Sequence, residues 1–456
     1  MTLQPVIVGA GPAGVRAAQA LAAAGVRPVV LDEAPRAGGQ IYRQPPAGFT
    51  RGKAKLYGSE HRKADAIHRA MDLLADKVDY RPGSLVWNCE GGVLDVVRDG
   101  VADSVPFSHL ILATGAADRV LPFPGWLTPG VYTLGGAQVA LKYQGCVIGA
   151  HTVFLGTGPL LYLVAYQYAR AGARVAAVLD TSRFADQLAA LPGMLTAPAL
   201  LARGVYYMAW LRARGVPIET GVRPLEVQGT ERVTGLRYRN GAGREKQLDC
   251  DAVGYGLALR SETQLASLAG CEFAFDARDR NWLPRRDAAG RSSVPGVYLA
   301  GDGAGIAGAD AAELAGERAA LALLQDARLP SDQARAQRLE DRMIRIDRVR
   351  DALERAFPFP ADWSIADDTM LCRCEEITAG ALREVARSGA ATELNRAKAL
   401  TRVGMGRCQG RVCGAAAAEV MSQALGVAPQ AVGRLRSQPP VKPIPIQLAL
   451  AKEARR

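Results

Sequence analysis

Near the N-terminus, the run Val6-Ile7-Val8-Gly9-Ala10-Gly11-Pro12-Ala13-Gly14 admits few folds. An apolar segment feeding a Gly-x-Gly-x-x-Gly turn reads as a buried parallel strand that opens a helix along Val15–Ala24. Gly9 permits the tight turn. Gly11, with Pro12 and Ala13 behind it, lets the backbone approach a pyrophosphate, and Gly14 lets helix and strand pack closely. The helix N-terminus then offers unpaired N–H groups and a positive dipole end to phosphates. After Gly25, the strand Pro28–Leu31 ends in Asp32-Glu33, placing a carboxylate where an adenosine ribose presents its hydroxyls. A glycine-rich turn alone occurs in many α/β domains. The ordered series of strand, turn, helix, strand and acid is what points to a dinucleotide.

Later segments narrow that dinucleotide to FAD. The strand ending in Gly301-Asp302-Gly303 resembles the second fingerprint of two-dinucleotide-domain flavoproteins, which implies that Asp302 holds the flavin's ribityl and phosphate end. Ala113-Thr114-Gly115 resembles the family's central crossover, and Gly38-Gly39-Gln40 resembles the loop by which thioredoxin-reductase-like members reach the flavin ring. Arg43, just beyond, suits either neutralising a flavin anion or a surface salt bridge. These segments meet only if residues 1–115 and 262–330 form one discontinuous FAD-binding domain. Residues 116–261 repeat the theme as an NAD-type domain: Gly156 and Gly158 follow an apolar run, and Arg174–Leu179 leads to Asp180. Asp180 favours an unphosphorylated ribose, hence NAD or another adenine nucleotide. Leu161 stands where a third small residue belongs, so helix and strand are expected to spread and the pocket to change. An inherited unit that binds nothing is the competing reading.

The length of 456 residues suggests about three domains. The net charge of +11 comes without any Lys/Arg run interleaved with aromatics, which argues against nucleic acid and for a basic surface suited to anionic ligands. The first apolar run is consumed by the Gly9–Gly14 turn, so it is not a signal peptide. No uninterrupted apolar stretch reaches spanning length. A cytoplasmic protein is expected, membrane-associated only through an electron acceptor.

The eight cysteines divide unequally. Cys89, Cys146, Cys250 and Cys271 are scattered and read as small buried apolar residues. Cys372, Cys374, Cys408 and Cys413 fall within 42 residues, which in a cytoplasmic chain argues for a metal rather than disulfides. Four thiolates suit a tetrahedral zinc ion or a 2Fe–2S cluster. From Leu371 to Gly414 there are eight basic residues against four acids, a setting that favours electron uptake by an anionic centre. Charge alone does not separate the two metals. The redox company favours iron–sulfur, because a flavin in the same chain needs a one-electron outlet and zinc provides none.

The run Cys372-Arg373-Cys374-Glu375-Glu376, with Lys398–Gly414, resembles the 2Fe–2S module of bacterioferritin-associated ferredoxin. In particular it resembles the version in the large (α) subunits of hydrogen cyanide synthase, octopine and nopaline oxidases and related proline or hydroxyproline dehydrogenases. The resemblance covers nearly the whole chain, including Asp32–Arg43 and Gly301–Gly303. It implies an electron-relaying subunit whose substrate is oxidised at a C–N bond by a separate D-amino-acid-oxidase-like β subunit. A small ferredoxin-like γ subunit is implied to be a further partner. The expected fold class is therefore α/β: two Rossmann-like domains of the thioredoxin-reductase/glutathione-reductase type plus a small α-rich 2Fe–2S domain over 365–430. Residues 331–364 are expected as a helical linker. Residues 431–456 are expected as an extended tail laid over a partner. No C-x-x-C occurs in either nucleotide unit, and none of the four histidines has a catalytic setting, so no catalytic residue is assigned. The alternative is a self-contained NADH-dependent reductase feeding a ferredoxin-like acceptor. A third reading is a scaffold that keeps its nucleotides for stability alone.

Overall fold

A computed structural model describes residues 3–46, 48–49, 52–360 and 363–447. The last stretch of the expected tail, 448–456, lies outside the described residues.

The strand Pro5–Val8 is wholly buried because it is flanked on both sides. Val29–Asp32 and His109–Leu112 pair with it in parallel, Asp79–Pro82 lies beyond the former, and Val297–Leu299 lies beyond the latter. Successive side chains of a strand point to opposite faces, and both faces are covered here. Ile7, Val30, Ile111 and Tyr298 pack toward the helices Pro12–Ala23 and Ala309–Asp326. Val6, Leu31, Leu110 and Leu299 pack toward a small antiparallel sheet formed by Ser84–Glu90, Val93–Arg98 and Val101–Pro106. The two covering helices approach very closely: a Cβ on Gly316 would lie 1.9 Å from the Ala13 carbonyl oxygen. Only glycine allows that crossing.

A second parallel sheet runs Ile218–Thr220, Arg174–Asp180, His151–Thr157, Ala252–Leu257, Val131–Thr133. The helix Pro159–Arg170 packs against it. Leu161 is completely buried, in one core cluster with Phe154, Tyr168 and Val178.

The C-terminal unit gathers the helices Ala379–Arg387, Leu394–Thr401 and Gly414–Leu425 around a two-stranded hairpin, Met370–Cys372 with Ile377–Thr378. It sits on the largely buried segment Leu121–Trp126. Trp363 meets Phe123 edge-on at 6.1 Å and donates to the Pro122 carbonyl at 3.1 Å, while Trp126 donates to the Met370 carbonyl at 2.8 Å. The helix Gln333–Ala356 begins at Asp332, whose carboxylate accepts from the Arg335 N–H at 2.8 Å, and it buries Leu339. The tail is laid over this chain itself through residues 438–442. The Val441 N–H donates to the Trp87 carbonyl at 3.0 Å, the Val441 carbonyl accepts from Arg411 at 2.7 Å, and Lys442 pairs with Glu33. Among the described residues no helix is long and apolar enough to cross a membrane.

Candidate flavin and iron–sulfur centres

The glycines of the first turn divide by role. Gly9 has a φ of +105°, and a Cβ there would lie 2.3 Å from the Ala113 carbonyl oxygen. A Cβ on Gly14 would lie 1.7 Å from the Gly9 carbonyl oxygen. These two are demanded by the fold itself. Gly11 is not: its nearest neighbour would be the Gly39 Cα at 3.6 Å, so the space above it is open. That opening, at the N-terminus of Pro12–Ala23, fits a phosphate approached by backbone N–H groups.

The other flavin-side segments converge on the same turn. The Gly38 N–H donates to the Ala10 carbonyl at 2.8 Å, which lays Gly38–Gln40 across it. Arg43 donates to the Gln40 side chain at 2.8 Å and stands 5.5 Å from the Tyr143 ring centroid. It makes no ion pair among the described residues, so the surface salt bridge is not the arrangement found. Thr114 donates to the Glu262 carbonyl at 2.6 Å, and a Cβ on Gly303 would press on the Thr114 hydroxyl at 2.5 Å. Asp302 accepts from the Ala307 and Gly308 N–H groups, each at 2.9 Å, and burial raises its carboxyl pKa. Asp32 braces the turn: it accepts from the Ala10 N–H and, at 2.6 Å, from the Ala34 N–H, leaving Glu33 as the exposed acid.

The sequence does not single out Lys142, which is one lysine among many. It is 3% exposed, reaches the Ile41 carbonyl at 3.3 Å, and burial lowers its pKa to about 8. The unfolded chain keeps this proton up to its ordinary value of 10.5, so between 8 and 10.5 unfolding takes up a proton and stability rises with pH. Below that window the folded protein carries a desolvated charge costing on the order of 3 kcal/mol. Lys142→Met should therefore raise the melting temperature at pH 7, and the gain should shrink toward pH 10. A scanning-fluorimetry series across that range reads it, and a pH-independent gain would contradict the assignment.

The second glycine turn is tighter. A Cβ on Gly156 would lie 1.9 Å from the Gly256 carbonyl oxygen, while Gly158, at φ +90°, has nothing close. Asp180 is fully buried and already supplied with donors: Tyr162 at 2.6 Å, the Ser182 N–H and hydroxyl at 2.8 Å each, and Gln187 at 3.2 Å. Burial raises its pKa to about 6. The structure does not bring this carboxylate to an open ribose position.

The four C-terminal cysteines do come together. Cys413 contacts Cys372 and Cys408, and Cys374 contacts Cys408. The contacts run from Cys372 through Cys413 and Cys408 to Cys374, so all four thiols share one neighbourhood. The Cys413 thiol holds Cys372 and Cys408 below the ordinary thiol pKa. Backbone N–H groups of Gly404, Glu375 and Cys374 assist at Cys372, and those of Val412 and Gly410 assist at Cys408. Such donors around sulfur stabilise the thiolate form that ligation requires. They point inward because the loops carry left-handed residues: Glu376 at φ +53°, Gln409 at +50° and Gly410 at +76°.

Residues 3–320 match the pyridine nucleotide-disulphide oxidoreductase family. The chain belongs to that family. Residues 370–423 match the BFD-like [2Fe-2S] binding domain. It is thus a flavoprotein oxidoreductase carrying FAD, with a 2Fe–2S cluster in its C-terminal domain. It is 38% identical to an opine oxidase subunit from Rhizobium meliloti over 455 residues, covering 96% of this chain and 85% of the relative. It is 35% identical to hydrogen cyanide synthase subunit HcnB of Pseudomonas aeruginosa over 462 residues, covering 98% of each. These relatives are subunits of multi-subunit oxidoreductases, and this family member groups with them. Among solved structures, L-proline dehydrogenase from P. horikoshii shares the fold with a TM-score of 0.72 at 20% identity, covering 98% of this chain and 79% of that one. T. acidophilum thioredoxin reductase shares it over 71% of this chain and 98% of its own, with a TM-score of 0.53 at 23% identity.

Proposed function

We propose that this flavoprotein is the electron-relay subunit of a heteromeric amine dehydrogenase acting on an opine or imino acid. A D-amino-acid-oxidase-like β subunit oxidises the substrate C–N bond, and a small ferredoxin-like γ subunit is a further candidate partner. The observation that carries this reading is the direct tie between the two cofactor regions. The Glu262 N–H donates to the Gly115 carbonyl at 3.0 Å, and two residues on, the Gln264 side chain donates to the Gln409 carbonyl at 2.8 Å. The flavin crossover and the cysteine loop are thus joined through one short segment. Flavin chemistry beside a one-electron centre converts a substrate's electron pair into single electrons.

In this reading Gly9–Gly14, Asp32, Glu33, Gly39, Gln40, Arg43, Ala113–Gly115, Gly301 and Asp302 hold FAD. Cys372, Cys374, Cys408 and Cys413 hold the cluster. The division into a FAD unit (1–115 with 262–330), an NAD-type unit (116–261) and a cluster unit (365–430) follows, with a cytoplasmic location. The buried Asp180 and the core-packed Leu161 disfavour the self-contained NADH reductase, whose support is the second turn at Gly156 and Gly158.

Expressed alone and assayed with octopine, nopaline, proline and hydroxyproline against a dye acceptor, the chain should show no turnover. With its β partner it should turn over, and Cys408→Ser should slow onward transfer while the partner's flavin remains reducible. Robust turnover by the isolated chain overturns the relay. Rapid flavin bleaching by NADH in stopped flow makes the reductase the better reading.

A further inference from the structure

The segment joining the two centres carries a buried charge whose hydrogen bonds are not all made. Leu259–Ser261 pairs antiparallel with Ala116–Asp118, immediately after the flavin crossover, with Arg260 opposite Ala117. The Arg260 side chain is 14% exposed, and its Nε and one terminal nitrogen are buried without a hydrogen-bond acceptor. The nearest carboxylate, Glu262, stands 3.9 Å away and already accepts from the Gln264 N–H at 3.2 Å. A desolvated guanidinium with unmade hydrogen bonds is costly unless an anion compensates it. The charges acting on it are those of Glu262, the like-charged Arg411, and the sulfurs of Cys408 and Cys413. Arg411 itself is committed to the Cys408 and Val441 carbonyls at 3.2 and 2.7 Å. Arg260, by contrast, keeps two buried nitrogens without acceptors.

We propose that Arg260 is a positioning charge for the iron–sulfur centre, a fixed buried cation whose field raises the cluster's reduction potential on the side that faces the flavin crossover. Reduction adds one negative charge to a centre already anionic through its thiolates. A nearby cation stabilises the reduced form more than the oxidised form, and burial keeps solvent from screening it. The inference rests on the reading of the four cysteines as cluster ligands. It adds a residue outside the cysteine domain, contributed by a strand of the nucleotide-binding part of the chain.

The test is a redox titration of the full-length holoprotein followed by the electron-spin signal of the reduced cluster. Arg260→Gln should shift the equilibrium toward the oxidised cluster by about tenfold, a fall of about 59 mV for one electron. Arg260→Lys, which keeps the charge, should stay close to the parent. Glu262→Gln removes an opposing charge and should move the potential upward. An unchanged potential in Arg260→Gln overturns the proposal, as does a fall of equal size in Arg260→Lys, which would mean packing rather than charge. Where Arg260→Gln assembles no cluster, Glu262→Gln decides: a rise supports the proposal and no movement overturns it. A parent protein containing zinc and giving no such signal would instead remove the cluster-ligand reading itself.

Discussion

Gly406→Ala is expected to strip iron from the protein while leaving its flavin bound. A Cβ at this position would lie 2.2 Å from the Cys374 Cβ and 3.0 Å from a Glu375 carboxylate oxygen. The backbone of Gly406 is not in the left-handed region, so alanine meets no conformational penalty there. The clash is therefore purely one of space, and it falls on the main-chain-proximal atom of a cluster ligand rather than on a flexible side-chain end. Glu375 cannot easily give way either, since its carboxylate is held by Arg402 at 2.7 Å. Relief requires Cys374 to move. Metal–ligand distances tolerate only about 0.2 Å, so a displaced Cys374 leaves the cluster without its fourth thiolate. Iron and FAD measured per chain should show near-complete loss of the first with the second unchanged. Full iron content in this variant would show that Cys374 is dispensable or that Gly406 is not where cluster assembly is limited.

The second large effect separates two glycines of one turn. Gly11→Val should give soluble, cooperatively melting protein that keeps its iron but contains no flavin. Its side chain enters open space, with only the Gly39 Cα at 3.6 Å from the new Cβ, yet that space is the approach to the pyrophosphate. A loss of about 100-fold in FAD affinity, near 2.7 kcal/mol, is the scale expected. Gly14→Val should instead fail to fold. Its Cβ would sit 1.7 Å from the Gly9 carbonyl oxygen, a backbone overlap that must drive helix and strand apart, with a cost above about 4 kcal/mol. Calorimetry with added FAD separates the two variants, since only the first should show a native transition that FAD leaves unmoved. A yellow Gly11→Val protein with the parent's flavin content would contradict the phosphate assignment.

How much is legible in one dimension follows from the kind of information each residue carries. The class, the flavoprotein family and the two cofactors are readable, because Val6–Gly14, Ala113–Gly115, Gly301–Asp302 and the cysteine set are contiguous or closely spaced patterns. Leu161 is less legible, for a physical reason. Its bulk can be judged only against the strand before it, whereas Phe154, Tyr168 and Val178 enclose it as core. The tail points to a partner because extended proline-rich chain looks unpartnered in one dimension; Trp87, Arg411 and Glu33, which hold it, lie far away in sequence.

The amino-acid sequence by itself determined the buried parallel strands, the glycine turns and the grouping of four cysteines, since each depends on local periodicity or on short covalent spacing. Only the tertiary structure decided which charged groups are spoken for and which are not. Asp180 meets Tyr162, Ser182 and Gln187 inside a closed core, Gly316 lets one helix cross another at Ala13, and Arg260 keeps two buried nitrogens without acceptors between two cofactor regions. Those outcomes depend on segments brought together from distant parts of the chain, such as Thr114 with Glu262 and Gln264 with Gln409. Burial and partnership are properties of that meeting, and no single stretch of residues contains them.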